Sequence, residues 1–272
     1  MSKQLIVRLA CLTALVATSA AVVLYIAGFT TQQMKVAFTF DDGTVDGYTV
    51  AAPILEKYGY RGVFSIINDN VGRTGYMTHD QIRDLVARGH TIASHTLSHK
   101  DIGSMCRNGD IVNARYQLEA SKAAFARNGI EVKYLTFPHG NNSKIAIELV
   151  KECGMQPLVI DRLDLGGGGG YANPMLNVGE YLSDLAKSHL YSQCVLMFHV
   201  VNDGVGYGAY GDDGQKFEQV VRSVKNNEGG NIVVNYPDYK WAVECTQSRR
   251  YRLKTKIREL IIGCLRDCNG WQ

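Results

Sequence analysis

Three short segments hold side chains of the kinds that bind metal ions and move protons. Asp41-Asp42-Gly43 places two carboxylates side by side, with a glycine to turn the chain. His95 and His99 are separated by three residues, so they share one face if the segment is helical, a spacing that suits zinc. His199 closes an apolar run, Val195-Leu196-Met197-Phe198. Each segment also has an ordinary reading: Asp-Asp-Gly is a common turn, paired histidines are often solvated or capping, and a lone histidine after an apolar strand is often a core residue. Together they make a chemical set. One carboxylate and two imidazoles form a three-ligand zinc site with a position open for water. A second carboxylate supplies a base and a separate histidine an acid, which is what metal-assisted hydrolysis of an amide or ester requires.

The elements around these segments alternate. Lys35–Phe40, Val63–Ile67, Thr91–Ser94, Lys133–Phe137, Gln156–Ile160, Leu176–Gly179 and Cys194–Val200 read as strands. Helical patterns cover Ala51–Tyr58, Thr78–Arg88 with Thr78 as N-cap, a long stretch at 107–128 ended by Gly129, and stretches near 143–153, 180–190 and 215–227. Such alternation predicts a parallel sheet, doubly wound or closed into a barrel. In both architectures polar groups at the C-terminal strand ends converge on one rim, and all three chemical segments stand at such ends. The glycine runs Gly166–Gly170 and Gly204–Gly214 read as rim loops, and neither spacing nor a Gly-Lys-Ser/Thr end makes Gly166–Gly170 a phosphate loop.

Length and composition bound the rest. The chain has 272 residues, 46% hydrophobic and 20% charged, enough for a substantial core and unlike a disordered or fibrous protein. The net charge of +3 conceals a gradient: residues 249–272 carry a balance of +5, and residues 35–248 a balance of −4. A mildly acidic body argues against nucleic acid as a partner. Leu253, Ile257, Leu260, Ile261 and Cys264 fall on one helical face of the basic tail, which either packs on the body or lies on an anionic membrane.

At the other end, Lys3 and Arg8 precede the uncharged run Leu9–Phe29. Those 21 residues would rise about 31 Å as a helix, one hydrocarbon thickness. Residues 1–33 are therefore expected to be a signal peptide or a transmembrane anchor, with the body outside the cytoplasm. Six cysteines lie beyond this segment, with no C-x-x-C pair, and no disulfide pairing follows from their spacing.

Four segments carry a resemblance. Thr39-Phe40-Asp41-Asp42-Gly43, His95-Thr96-Leu97-Ser98-His99, Phe137-Pro138-His139-Gly140 and Leu196-Met197-Phe198-His199 are similar, in order, to the motifs of the polysaccharide deacetylase (NodB-homology) family, over about residues 35–240. The resemblance implies a distorted (β/α) barrel of about seven parallel strands, here spanning 34–244 between the N-terminal segment and a tail at 245–272. It implies divalent-metal-dependent removal of acetyl groups from N-acetylated sugars, with an acetylated glycan as partner. By resemblance Asp41 is the general base, and Asp42, His95 and His99 bind the metal, usually zinc. The backbone N–H of His139, after Pro138, meets the developing oxyanion, and His199 protonates the departing amine. Two departures stand out. Thr136 occupies the place of an arginine that often steers the catalytic aspartate, leaving Asp41 without a named tether. Asp161-Arg162-Leu163-Asp164 lacks the tryptophan of the family's next motif, and the third motif is nearer the form seen in deacetylases of exported poly-N-acetylglucosamine, with His139 in place of tyrosine. Degenerate accessory motifs leave two alternatives open: a glycan-binding homologue without turnover, and a hydrolase of the same fold acting on another acyl substrate.

Overall fold

The computed structural model describes residues 33–158, 162–164, 178–187, 193–201 and 214–234. The expected N-terminal helix, both glycine-rich loops (Gly214 apart) and the basic tail lie outside them. No helix among the described residues is long and apolar enough to cross a membrane. The strands are β1 (Met34–Phe40), β2 (Val63–Ile66), β3 (Thr91–Ser94), β4 (Tyr134–Thr136), β5 (Gln156–Leu158), β6 (Arg162–Asp164), β7 (Gln193–Phe198) and β8 (Ile232–Val234). They form one sheet in the order β5-β4-β3-β2-β1-β7-β6, with β8 beside the first half of β1, and every pairing is parallel.

The two ends of this path are neighbours in the chain. Leu158 closes β5 and Arg162 opens β6, so their Cα atoms lie at most about 14 Å apart by chain reach. A flat sheet of seven strands would separate its edges by about 29 Å. The sheet must therefore curl, with the stretch from 156 to 164 pairing β4 through its first residues and β7 through its last. This is a curled, barrel-like α/β fold, in agreement with the expected architecture.

Among the described residues the α-helices are α1 (Ala52–Lys57), α2 (His79–Ala87), α3 (Ile102–Arg107), α4 (Ile111–Arg127), α5 (Lys144–Glu152), α6 (Val178–Lys187) and α7 (Gln215–Asn227). Thr78 caps α2 through a full capping box with Gln81, and Ser143 caps α5; such caps are typically worth about 1 kcal/mol each. The structure corrects three expectations. The long helix expected at 107–128 starts at Ile111, because Gly109, at φ 82°, turns the chain there, and Arg107 instead ends a separate short helix, α3, that Asp101 caps through the Ser104 N–H. Val178 and Gly179, expected to end a strand that begins at Leu176, open α6 instead; residues 176 and 177 lie outside the described residues. His95 and His99 lie on an irregular turn rather than a helix. The short strands β6 and β8 had no separate signal, since three residues show no periodicity.

Strand alternation sorts the core into two clusters. Even-numbered β1 residues Val36, Phe38 and Phe40 join Phe64, Phe198 and Phe217 beneath the helices. Here Phe40 stacks on Phe64 at 4.8 Å between ring centroids, and Phe217 meets Phe198 edge-on at 5.0 Å. Each such ring burial contributes about 1.5–3 kcal/mol. On the opposite face Ala37, Val63, Ala93, Leu158 and Val195 form a smaller cluster within the curl. Continuing that parity toward the C-terminal strand ends gives Asp41, His95, Thr136 and His199. Asp41, His95 and His199 are thus inward positions at the rim above the inner core. Cys106, Cys153 and Cys194 are buried, and none is disulfide-bonded to another.

Candidate metal centre and catalytic site

Asp42 leaves β1 in a left-handed conformation at φ 73°, followed by Gly43 at φ 79°. Aspartate tolerates this region better than most residues, and glycine without strain. The non-glycine residues with positive φ among those described are Asp42, Thr96, His99 and His139. All four belong to the segments singled out for chemistry. Backbone held in such conformations, at a cost of order 1–3 kcal/mol each, concentrates where function requires a particular aim.

The turns bring three donors together. Asp42 Oδ1 stands 3.4 Å from His99 Nε2 and 3.7 Å from His95 Nε2. The three ligand atoms all lie within 4.8 Å of one another. Two donors each about 2.1 Å from a tetrahedral ion lie about 3.4 Å apart, so these separations suit a divalent cation. Asp42 Oδ1 is buried and makes no hydrogen bond among the described residues, an orphan that a cation would satisfy. Burial, and then the neighbouring His95 ring, push the His99 pKa below the usual histidine value, favouring the neutral, ligating form. The donor set therefore fits the expected metal.

Thr136 explains how His95 is aimed. His95 Nδ1 lies 3.0 Å from the Thr136 carbonyl and 2.9 Å from its hydroxyl. A carbonyl only accepts, so Nδ1 carries the proton and Nε2 is left to face Asp42. The hydroxyl also reaches the Ser94 carbonyl at 3.5 Å. The residue that departs from the family pattern thus serves the metal ligand rather than the aspartate. Thr136→Val should keep the strand but weaken zinc affinity about 10- to 100-fold, as loss of such supporting bonds typically does. Chelator competition measures this, and unchanged affinity would refute the role.

Asp41 is 4% exposed and inward, with Oδ2 4.0 Å from His95 Nε2. Its backbone N–H donates to the Phe198 carbonyl at 2.9 Å, tying the base-bearing strand end to the strand that carries His199. His139 sits at φ 58°, ψ 8° in the turn after Pro138, its ring edge-on to His99 at 4.7 Å. That turn is braced from below. Asn141 Nδ2 donates to Asp101 and Ser104, and a side chain on Gly103 would strike the Asn141 carbonyl at 2.3 Å. Asp69 is exposed in a 3-10 turn and its N–H donates to the Leu97 carbonyl at 2.9 Å, between the two histidines, and Asp203 lies outside the described residues. The reading of the sequence passed over Thr44 and Asp46. Their signal was faint: two polar residues just past Asp42-Gly43, the second at a helix start.

Residues 29–158 match the model of the family described as polysaccharide deacetylase. This part of the chain is similar to polysaccharide deacetylases. Among curated relatives, YxkH of Bacillus subtilis, itself named for this family, is 34% identical over 70 residues, 26% of this chain and 25% of its own. The chitin deacetylase of Colletotrichum lindemuthianum is 29% identical over 110 residues, 40% and 43% of the two chains. The chain thus spans less than half the length of these relatives. In fold, the chain resembles the Xyl-CE4 domain of a multidomain xylanase from the hindgut metagenome of Trinervitermes trinervoides. That match has a TM-score of 0.54 at 20% identity and covers 80% of this chain and 93% of that one. The Colletotrichum chitin deacetylase structure matches equally, with a TM-score of 0.54 at 20% identity over 75% and 87%.

Proposed function

We propose that the chain is a divalent-metal-dependent hydrolase that removes N-acetyl groups from an amino-sugar polymer outside the cytoplasm. The observation that carries this is the Asp42, His95 and His99 donor set with the inward carboxylate of Asp41 beside it, in a chain similar to polysaccharide deacetylases. The Colletotrichum relative, named a chitin deacetylase, supports an N-acetylated glycan as substrate. The uncharged run Leu9–Phe29, with positive charge before it, supports an extracytoplasmic address, by secretion or by anchoring in the membrane.

A cation held by Asp42, His95 and His99, zinc by its donor set, supplies Lewis-acid polarisation of the acyl oxygen and a lowered pKa for water. Asp41 accepts the proton of the water that attacks the acetamide carbon. The His139 N–H donates to the carbonyl oxygen as negative charge develops there, a contribution typically of about 2.7–4 kcal/mol. His199 then delivers a proton to the nitrogen, so the amine rather than its anion departs. Thr136 bonds His95 instead of Asp41, so the loss of the arginine does not by itself argue for a catalytically silent, glycan-binding homologue.

The test is acetate release by the full-length chain with added zinc, on N-acetylglucosamine oligomers, peptidoglycan and acetylated xylan. Asp41→Asn should keep stoichiometric metal and lose release by about 100-fold or more, the lower end for a general base. Release confined to xylan would move the substrate to acetyl esters, and metal binding without release from any polymer would end the glycan reading.

A further inference from the structure

Three hydrogen bonds join the turn that follows β1 to the end of β7, and they bracket His199. Asp41 N–H donates to the Phe198 carbonyl at 2.9 Å. Thr44 Oγ1 donates to the carbonyl of His199 itself at 2.9 Å. Asp46 Oδ2 accepts from the Val201 N–H at 2.5 Å, across 155 residues of chain. The other oxygen of Asp46 accepts from the Gly47 N–H at 3.1 Å, the start of the π-helical turn Gly47–Ala51. Asp46 is only 7% exposed. A buried carboxylate is costly unless its oxygens are met by donors, and here one oxygen meets the local helix start while the other leaves it for β7. A cap alone would need only the Gly47 bond.

The His199 side chain, by contrast, is not oriented by a bond at Nδ1, which is buried and has no partner among the described residues. What is held is its backbone, on both sides. We propose that Asp46 and Thr44 are positioning residues for proton delivery by His199: they clamp its main chain to the turn that carries the base and a metal ligand. This inference rests on the deacetylase reading. In that reaction water oxygen bonds to the acyl carbon, the C–N bond breaks, and the nitrogen leaves with the proton from His199. The donor must therefore keep its distance from Asp41 and Asp42, and residues 44 and 46 are on the same turn as both.

The role separates from a general structural one by leaving group. An N-acetylglucosamine oligomer needs its nitrogen protonated, whereas 4-nitrophenyl acetate releases a stable phenolate without a proton. Asp46→Asn places an amide N–H against one of the two backbone donors and should release His199. In the full-length zinc protein it should cut turnover on the oligomer about 100-fold, the effect of a displacement of about 1 Å, with KM for the oligomer and zinc content unchanged. Ester turnover should stay near the parent value. Thr44→Val, which leaves the buried carboxylate intact, should shift the same ratio less and covers the case in which Asp46→Asn does not fold. Adding Asp46→Asn to His199→Ala should cost little more, because the two act as one unit. Equal losses on amide and ester, or loss of zinc, would overturn the inference while leaving the deacetylase reading standing. Absence of turnover by the parent protein on every acetylated polymer would overturn that reading, and this inference with it.

Discussion

Replacing His95 with alanine should abolish metal binding and turnover together. The residue is 1% exposed, its Nε2 faces Asp42, and its Nδ1 is held by Thr136. Removing it leaves two donors where a catalytic zinc site has three protein ligands. The fall in zinc affinity should exceed the roughly 100-fold that marks the upper range for supporting residues. Metal content after dialysis, alongside a melting curve, measures it. His99→Ala removes a more exposed ligand and should give the same loss of metal without a buried void. Stoichiometric zinc in either variant would show that the centre lies elsewhere.

His199→Ala should separate the two properties. Zinc content should match the parent protein while acetate release from an N-acetylated oligomer falls about 10²- to 10⁴-fold, the usual contribution of a positioned proton donor. The fold should survive, because the bonds that hold this strand end use the backbone of Phe198, His199 and Val201 rather than the imidazole. Retained turnover would remove His199 from the reaction. Loss of zinc would instead place its ring at the metal centre.

Much of the site was legible because strand parity is a local property. A residue two positions beyond an inward residue points inward again, so Ala37 leads to Asp41, Ala93 to His95 and Val195 to His199 along single strands. The parallel architecture then requires those strand ends to share a rim. The helix signals were legible for a similar reason: the Thr78 cap and the periodicity of 215–227 act over one or two turns. The short helix α3 and the break at Gly109 before α4 were harder to see, because most residues of 102–127 favour helix.

Other features depended on partners far away in the chain. Spacing alone would put His95 and His99 on one face only if the segment were helical, but they meet across a turn in which Thr96 and His99 both take left-handed backbones. Histidine is among the non-glycine residues enriched in that conformation, but the preference is too weak to place it there without the surrounding packing. Thr136 looked like a loss, since an arginine steering the catalytic aspartate was expected there. Only the approach of β4 to β3 shows that its hydroxyl and carbonyl set the His95 tautomer. Asp46 was unremarkable until the fold placed Val201 against it. The sequence by itself determined the alternation of strands and helices, the inward face of each strand and the candidate donors at the strand ends. The tertiary structure decided which side chain supports which, because a hydrogen bond between residues 155 apart depends on how the sheet curls and not on any pattern along the chain.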